Sequence, residues 1–281
     1  MYLGHFGLTE LPFSITPDTQ FVYSAASHQE ALNTLLLAVR GGEGFVKITG
    51  EVGTGKTLLC RRFLATLGDE CVAAYIPNPQ QDARSLLLDV AEELGVADGD
   101  DRNNVHIARR INRCLMELAD RGKIAVLCID EAQTMPVETL EALRLISNLE
   151  TEKRKLIQIV LFGQPELDGR LALPSVRQLR QRIVFHYRMP GLKRSEVGSY
   201  VDHRLRVAGY HGGHLFSALA RRALYRHSEG MPRLVNILAH KAMLAAYGEG
   251  SEEVCRRHVR AAARDTEGAR KGGWSLLGGF A

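Results

Sequence analysis

Residues 50–57 read GEVGTGKT, between the apolar run FVKIT and the helix-patterned stretch LLCRRFLATL. A G-x-x-x-x-G-K-T spacing in a strand–loop–helix context makes a phosphate cradle. Its glycines let backbone N–H groups of Gly50, Glu51, Val52, Gly53, Thr54 and Gly55 approach phosphate oxygens, and the following helix turns its positive end toward them. In this reading Lys56 contacts the β- and γ-phosphates, the Thr57 hydroxyl ligates Mg²⁺, and Leu58 completes the first helical turn.

A second stretch, IAVLCIDE, ends a continuous apolar run in two carboxylates. A carboxylate at the end of a buried strand can reach the metal beside the cradle, which assigns Asp130 to Mg²⁺. Glu131, one residue on, is placed to polarise water for attack on the γ-phosphate. The pair lies about 75 residues after Lys56, leaving room for an inserted strand such as CVAAYI, the arrangement of NTPases that keep a glutamate base. ATP hydrolysis is therefore the leading expectation.

Three further segments offer supporting groups. In LFGQPEL, Gln164 stands at the tip of the next apolar strand, where it could orient water or sense the γ-phosphate; a turn residue before Pro165 is the plainer alternative. SVRQLRQRIVF carries arginines suited to a neighbouring subunit's nucleotide: Arg182 is the first choice, with Arg180 and Arg177 behind it, and the choice within the trio stays open. In EGMPRLVN, Gly230 and Pro232 permit a tight start to a helix with Arg233 in its first turn. A cation there opposes the helix dipole, and contact with the γ-phosphate would give it a reason to be there.

These residues need a framework. SHQEALNTLLLAV (27–39) reads as an amphipathic helix ending at Gly41-Gly42, GFVKITG as a buried strand, and KTLLCRRFLATLG as a helix. CVAAYI, KIAVLCIDE, KLIQIVLFG and RIVFHYRM read as further strands, with helical patterns at 82–94, 104–121 and from Pro136. The alternation predicts an α/β fold with a parallel sheet flanked by helices. Beyond Met189-Pro190-Gly191 the strand pattern disappears, and 194–208, 215–228, 232–247 and 251–265 all read as helices. The expected organisation is an N-terminal arm and first helix (1–43), an α/β core (44–189), a small all-α lid (190–266) and a flexible Gly-rich tail (267–281).

Composition narrows the setting. The chain has 281 residues, 45% hydrophobic and 24% charged, typical of a globular protein. Its net charge of +4 is unevenly spread: 170–270 hold 19 Lys/Arg against 8 Asp/Glu, leaving 17 against 24 elsewhere. A basic C-terminal third (Arg221, Arg222, Arg226, Arg256, Arg257, Arg260) can mark a polyanion surface, though solvated helix arginines are commoner. Five cysteines form no C-x-x-C pair, which suits a reducing cytosol. His203, His211 and His214 surround a Gly-rich turn without a nearby cysteine and read as surface or cap residues rather than zinc ligands. No signal-peptide pattern opens the chain, and no apolar run reaches the roughly 18–20 residues of a spanning helix. The expected location is cytoplasmic, with any membrane link made indirectly through partners.

Together GEVGTGKT, IDE, GQPEL, RQR and MPR resemble the P-loop AAA+ ATPases: Walker A at 50–57, Walker B at 124–131, a sensor-1 strand, an arginine-finger region and a sensor-2 G-x-P-R. The longer stretches FGLTELPFSITPDTQFVYSAASHQEAL, GFVKITGEVGTGKT, IDEAQTM, QIVLFGQPELD, LRQRI and YVDHRLRVAG are similar to the ExeA/GspA group of general secretion ATPases, over roughly 1–265. That group includes an MSHA-pilus biogenesis ATPase, and transposition ATPases of the TniB type are more distant relatives. The resemblance implies a helical lid, nucleotide-dependent homo-oligomers, and help in assembling an envelope machine with inner-membrane pilus or secretion-system components. ExeA-type proteins continue through a transmembrane helix into a periplasmic peptidoglycan-binding domain, whereas this sequence stops at Ala281. A short form of that kind resembles the MSHA-pilus branch better. Phe21, Val22 and Tyr23 lie where adenine would pack in the family, and core packing accounts for them as well. Two other readings remain: a nucleic-acid-bound adaptor of the transposition type, and a nucleotide switch without hydrolysis, against which Glu131 argues.

Overall fold

The computed structural model describes residues 2–15, 19–21, 23, 25–80, 82–96, 104–147 and 155–271. Val22, the ADGDDRNN turn up to residue 103 and the tail from 272 onward lie outside them. The chain divides into two compact units: Ala26–Glu51 with Gly55–Pro190, and Met1–Ala25 with Val52–Thr54 and Gly191–Ala281.

The larger unit is built on a parallel sheet of β1 (Phe45–Gly50), β2 (Cys71–Ile76), β3 (Ile124–Ile129), β4 (Ile157–Gly163) and β5 (Ile183–Met189), in the order β2-β3-β4-β1-β5. Helices α1 (Ala26–Gly41), α2 (Lys56–Thr66), α3 (Ala83–Glu93), α4 (Asn104–Asp120) and α5 (Val137–Ser147) accompany it. The central strands are buried on both faces, and period-2 alternation sorts their side chains between two cores. Val46, Ile48, Val126, Cys128, Val160 and Phe162 pack with Leu35 of α1 and Phe63 of α2. The intervening Phe45, Leu127, Ile129, Ile159 and Leu161 pack with Leu87 of α3, Ile111 of α4 and Leu143 of α5. Asp82 caps α3, its carboxylate accepting from Arg84 N at 2.8 Å and Ser85 N at 2.9 Å. β5 is one of the two edge strands, and it keeps Val184 and Phe185 52% and 36% exposed.

The topology matters for the chemistry. β4 stands between β1 and β3, so the loops after β1, β3 and β4 all emerge from the same C-terminal edge, where α/β sheets hold their ligands.

The smaller unit consists of α6 (Arg194–Val207), α7 (Ala218–Ser228), α8 (Pro232–Gly248) and α9 (Arg256–Arg264) around one apolar core, to which the arm adds Tyr2, Phe6, Phe13 and Phe21. Ser217 caps α7 through Ala220 N at 3.2 Å, and Pro232 occupies the first turn of α8, where its missing N–H costs nothing. Arg204, 7% exposed, ties down the arm: its Nε donates to Pro12 O and its guanidinium lies 4.7 Å from the Phe21 ring centroid. Tyr23 packs edge-on to Tyr200 at 5.7 Å. The segment 251–265, expected as one helix, turns helical only at Arg256. Before that Val254 exchanges backbone hydrogen bonds with Leu215 and Ser217, at 2.8 and 3.1 Å, forming a one-residue bridge beside Phe216.

Candidate functional site

The C-terminal edge of the sheet collects the loops that carry the predicted groups. Gly50 ends β1, Glu51 and Val52 continue into the turn, and Gly55 is the N-cap of α2. Gly53 and Gly55 have φ of +81° and +93°, a conformation L side chains rarely adopt. Space demands glycine as well. A Cβ on Gly55 would lie 2.7 Å from His28 Nε2, and one on Gly53 would lie 2.3 Å from Cβ of Arg233. The loop tip Val52–Thr54 belongs to the same unit as Arg233. Thr54 is fully buried, and Lys56, Thr57 and Leu58 form the first turn of α2.

Lys56 is 5% exposed, and its Nζ donates to Gly50 O at 2.7 Å and Glu51 O at 3.0 Å. Burial pulls its pKa below the ordinary lysine value, against the opposing pull of Glu131 and Asp130. Thr57 Oγ1 donates to Asp130 Oδ2 at 2.7 Å, joining the cradle helix to the end of β3. Asp130 is 2% exposed, and burial pushes its carboxyl above the ordinary range despite hydrogen bonds from Thr57 Oγ1 and Glu131 N. A carboxylate and a hydroxyl fit a small hard cation that keeps its remaining places for water and phosphate oxygens, the habit of Mg²⁺. A buried carboxylate whose charge is disfavoured gains from such a cation.

Glu131 follows in the left-handed region at φ +51°, unusual for a residue other than glycine. Two amides hold its carboxylate: Gln133 Nε2 donates to Oε2 at 2.6 Å and Gln164 Nε2 to the same oxygen at 3.3 Å. Gln133 Oε1 in turn accepts from Gln164 N at 2.9 Å, so the turns after β3 and β4 are hydrogen-bonded into one unit around the carboxylate. The structure thus brings Lys56, Thr57, Asp130, Glu131 and Gln164 to one edge. Gln133 is the member that residue-by-residue reading missed. Its position two residues after Glu131, in IDEAQTM, was the available sign.

The arginines before β5 lie elsewhere. Parallel pairing sets Ile183 beside Phe45 and Met189 beside Gly50. Arg182, and Arg180 in the short helix Arg177–Arg180, therefore stand at the N-terminal edge of the sheet. Six residues at about 3.3 Å each put Arg182 about 20 Å from the cradle of its own chain. Arg177 and Arg180 are exposed and Arg182 half-exposed. In the smaller unit Arg233 is exposed in the first turn of α8. Gly230, at φ +78°, precedes it, and a Cβ there would meet Leu192 O at 2.1 Å.

The chain is similar to known proteins in sequence and in fold. An AAA domain family matches residues 39–171. General secretion pathway protein A of Aeromonas hydrophila is 40% identical over 275 residues, covering 98% of this chain and 50% of the relative. The chain thus spans about half the length of that curated relative. Among solved structures, Cdc6p of Pyrobaculum aerophilum superposes with a TM-score of 0.65 at 18% identity, over 90% of this chain and 70% of that one. The Aeropyrum pernix ORC2 protein gives 0.63 at 17%, over 90% and 71%, and the Thermotoga maritima RuvB branch-migration motor gives 0.57 at 16%, over 88% and 73%. At these identities the structures share the fold. Among the described residues no helix is long and apolar enough to cross a membrane.

Proposed function

We propose that the chain is an AAA+ ATPase of the ExeA/GspA-like group, to which it is similar, and that it hydrolyses ATP to drive assembly of a cell-envelope machine. The observation that carries hydrolysis, rather than binding alone, is the Glu131 carboxylate held by Gln133 and Gln164 next to the Asp130–Thr57 pair. A conformational switch has no need of an oriented base.

In the proposed mechanism the backbone N–H groups of the cradle and the α2 N-terminus bind the phosphates, and Lys56 neutralises charge between the β- and γ-groups. Thr57 and Asp130 would hold Mg²⁺, which when bound offsets the phosphate charge. Glu131 accepts a proton from water as the water oxygen bonds to the γ-phosphorus, and the bond from that phosphorus to the bridging oxygen breaks. ADP and phosphate leave. Gln164 orients the water, and its hydrogen bond to Glu131 keeps base and sensor in register. Arg233, packed against Gly53, reports the γ-phosphate to the helical unit.

Arg182 acts on the nucleotide of a neighbouring copy, with Arg180 as the second choice. Its placement at the opposite edge of the sheet supports action between subunits, as do Val184 and Phe185 left exposed beside it on an edge strand. Homo-oligomerisation follows from this reading. The similarity to general secretion pathway protein A supports a reading in which the work is done on the cytoplasmic side of the inner membrane, at a secretion system or a related type IV pilus.

Phosphate release by the purified protein tests the activity, and mixing tests the shared site. Subunits carrying Glu131→Gln and subunits carrying Arg182→Ala, each inactive alone, should regain part of the activity when combined. Mixtures as inactive as their components would remove the intersubunit role. Pilus or secretion assembly undiminished in a strain carrying Lys56→Ala would remove the envelope role.

A further inference from the structure

Within the helical unit lies a hollow of about 1070 Å³ whose wall is unusually rich in arginine. Helix α7 contributes Arg222 and Arg226, one turn apart, and α9 contributes Arg256, Arg260 and Arg264, a stripe at i, i+4 and i+8. Arg194 opens α6, and Arg270 and Lys271 complete the wall. The wall's carboxylate, Glu229, is already paired with Arg270 at 3.0 Å. Among the described residues, Arg194, Arg222, Arg226, Arg256, Arg260 and Arg264 have no acidic partner.

Solvated helix arginines are common, so the contrast on the same two helices is what decides. Arg221 is bound by Asp202 through two hydrogen bonds of 2.9 and 3.0 Å, and Arg257 by Glu249 at 2.9 Å. In Arg221-Arg222 and in Arg256-Arg257, the arginine outside the hollow is neutralised and the one lining it is not. Arg256 also sits in the first turn of α9, which holds no acidic residue, so guanidinium and helix dipole are of like sign. Like charges gathered in one concavity cost free energy, which an anion from outside repays.

Seven of the eight cations are arginine, whose planar fork pairs with phosphate through two hydrogen bonds. The wall also includes Tyr225, a ring of the kind on which bases stack. A concave site admits a strand and excludes a flat lipid surface. We propose that this hollow holds the phosphodiester backbone of a nucleic-acid strand. The site is separate from the phosphate cradle and goes beyond the assembly role.

The test is fluorescence anisotropy of the full chain with a labelled 20-nucleotide single strand, repeated between 50 and 200 mM salt. Six phosphate contacts predict a log–log salt slope of about −4, or roughly a 300-fold loss over that range. Arg222→Glu/Arg226→Glu/Arg260→Glu should bring the slope to about −2 and weaken binding at least ~10-fold. A charge-matched control, Arg109→Glu/Arg113→Glu/Arg121→Glu on exposed positions of the other unit, should change affinity by less than about twofold. Circular dichroism and thermal melts check the folds; if the triple variant unfolds, Arg222→Gln/Arg226→Gln carries the same expectation with a smaller slope change. A slope near zero, or equal losses in hollow and control variants, overturns the proposal. So does hollow-dependent binding of polyglutamate or phosphatidylglycerol vesicles that matches or exceeds that of the strand, since the ligand would then be an acidic peptide or a lipid.

Discussion

On the proposed readings the chain handles negative charge in two opposite ways. At the phosphate cradle the functional side chains are buried or half-buried and already engaged: Lys56 on two carbonyls, Thr57 on Asp130, Gln133 and Gln164 on Glu131. In the arginine hollow six arginines are side chains without an acidic partner among the described residues, most of them exposed. A cradle of backbone N–H groups is rigid, fixed in geometry and little screened. A wall of long guanidinium arms is permissive in geometry and strongly screened by salt. The difference teaches that preorganisation, rather than charge count, separates a site for chemistry from a site for holding.

The sharpest break in that comparison is Lys56→Ala. It should lower phosphate release about 10³-fold, while strand binding at the hollow stays within about twofold of wild type. Parallel loss of both would mean that one site serves both ligands. Next is Glu131→Gln, expected to cut turnover roughly 10²–10³-fold with ATP affinity preserved; a fluorescent nucleotide measures the affinity and phosphate release the turnover. A variant that turned over as fast as wild type would deprive Glu131 of its role as base. Gly55→Ala probes preorganisation alone, because it adds one methyl group at a φ of +93° against His28. Its expected effect is about tenfold weaker nucleotide binding, with no change at the hollow.

The smallest effect concerns stability. Burial holds the Lys56 pKa below its ordinary 10.5, so the folded state favours the neutral amine. That penalty is present in full below the lowered pKa and is relieved as pH rises through it toward 10.5. Lys56→Met should therefore melt about 2 °C higher than wild type near neutral pH, an advantage that shrinks at alkaline pH. No shrinkage would point to packing as the cause. Melting scans at a series of pH values decide this.

Much of the cradle could be read before any coordinates, because backbone chemistry leaves its mark on residue type. Glycine at 53 and 55 is dictated by positive φ and close neighbours, and a strand pressed between two layers must read as VKIT or AVLCI. Asp130 and Glu131 were legible for the same reason, standing where an apolar run stops. Gln133 was not, since an amide two residues beyond a carboxylate reads as any polar turn until β4 brings Gln164 to meet it. The hollow was half legible. Charge counting found the basic third but could not separate Arg222 from Arg221, or Arg256 from Arg257, because the partners Asp202 and Glu249 are 19 and 8 residues away in sequence. The bridge at Val254 escaped helical periodicity altogether, being set by contact with Leu215 and Ser217.

The parallel register that seats Arg182 at the far edge of the sheet from Lys56 has a genetic corollary. On the proposed intersubunit reading, a copy lacking Arg182 keeps its own cradle intact and disables the site of the copy it touches. In a cell carrying both alleles, a ring is a circuit of donors and recipients, and each mutant copy removes one link rather than itself. An Arg182→Ala allele should then be dominant in proportion to its share of the subunits, with a defect that extra wild-type protein dilutes away.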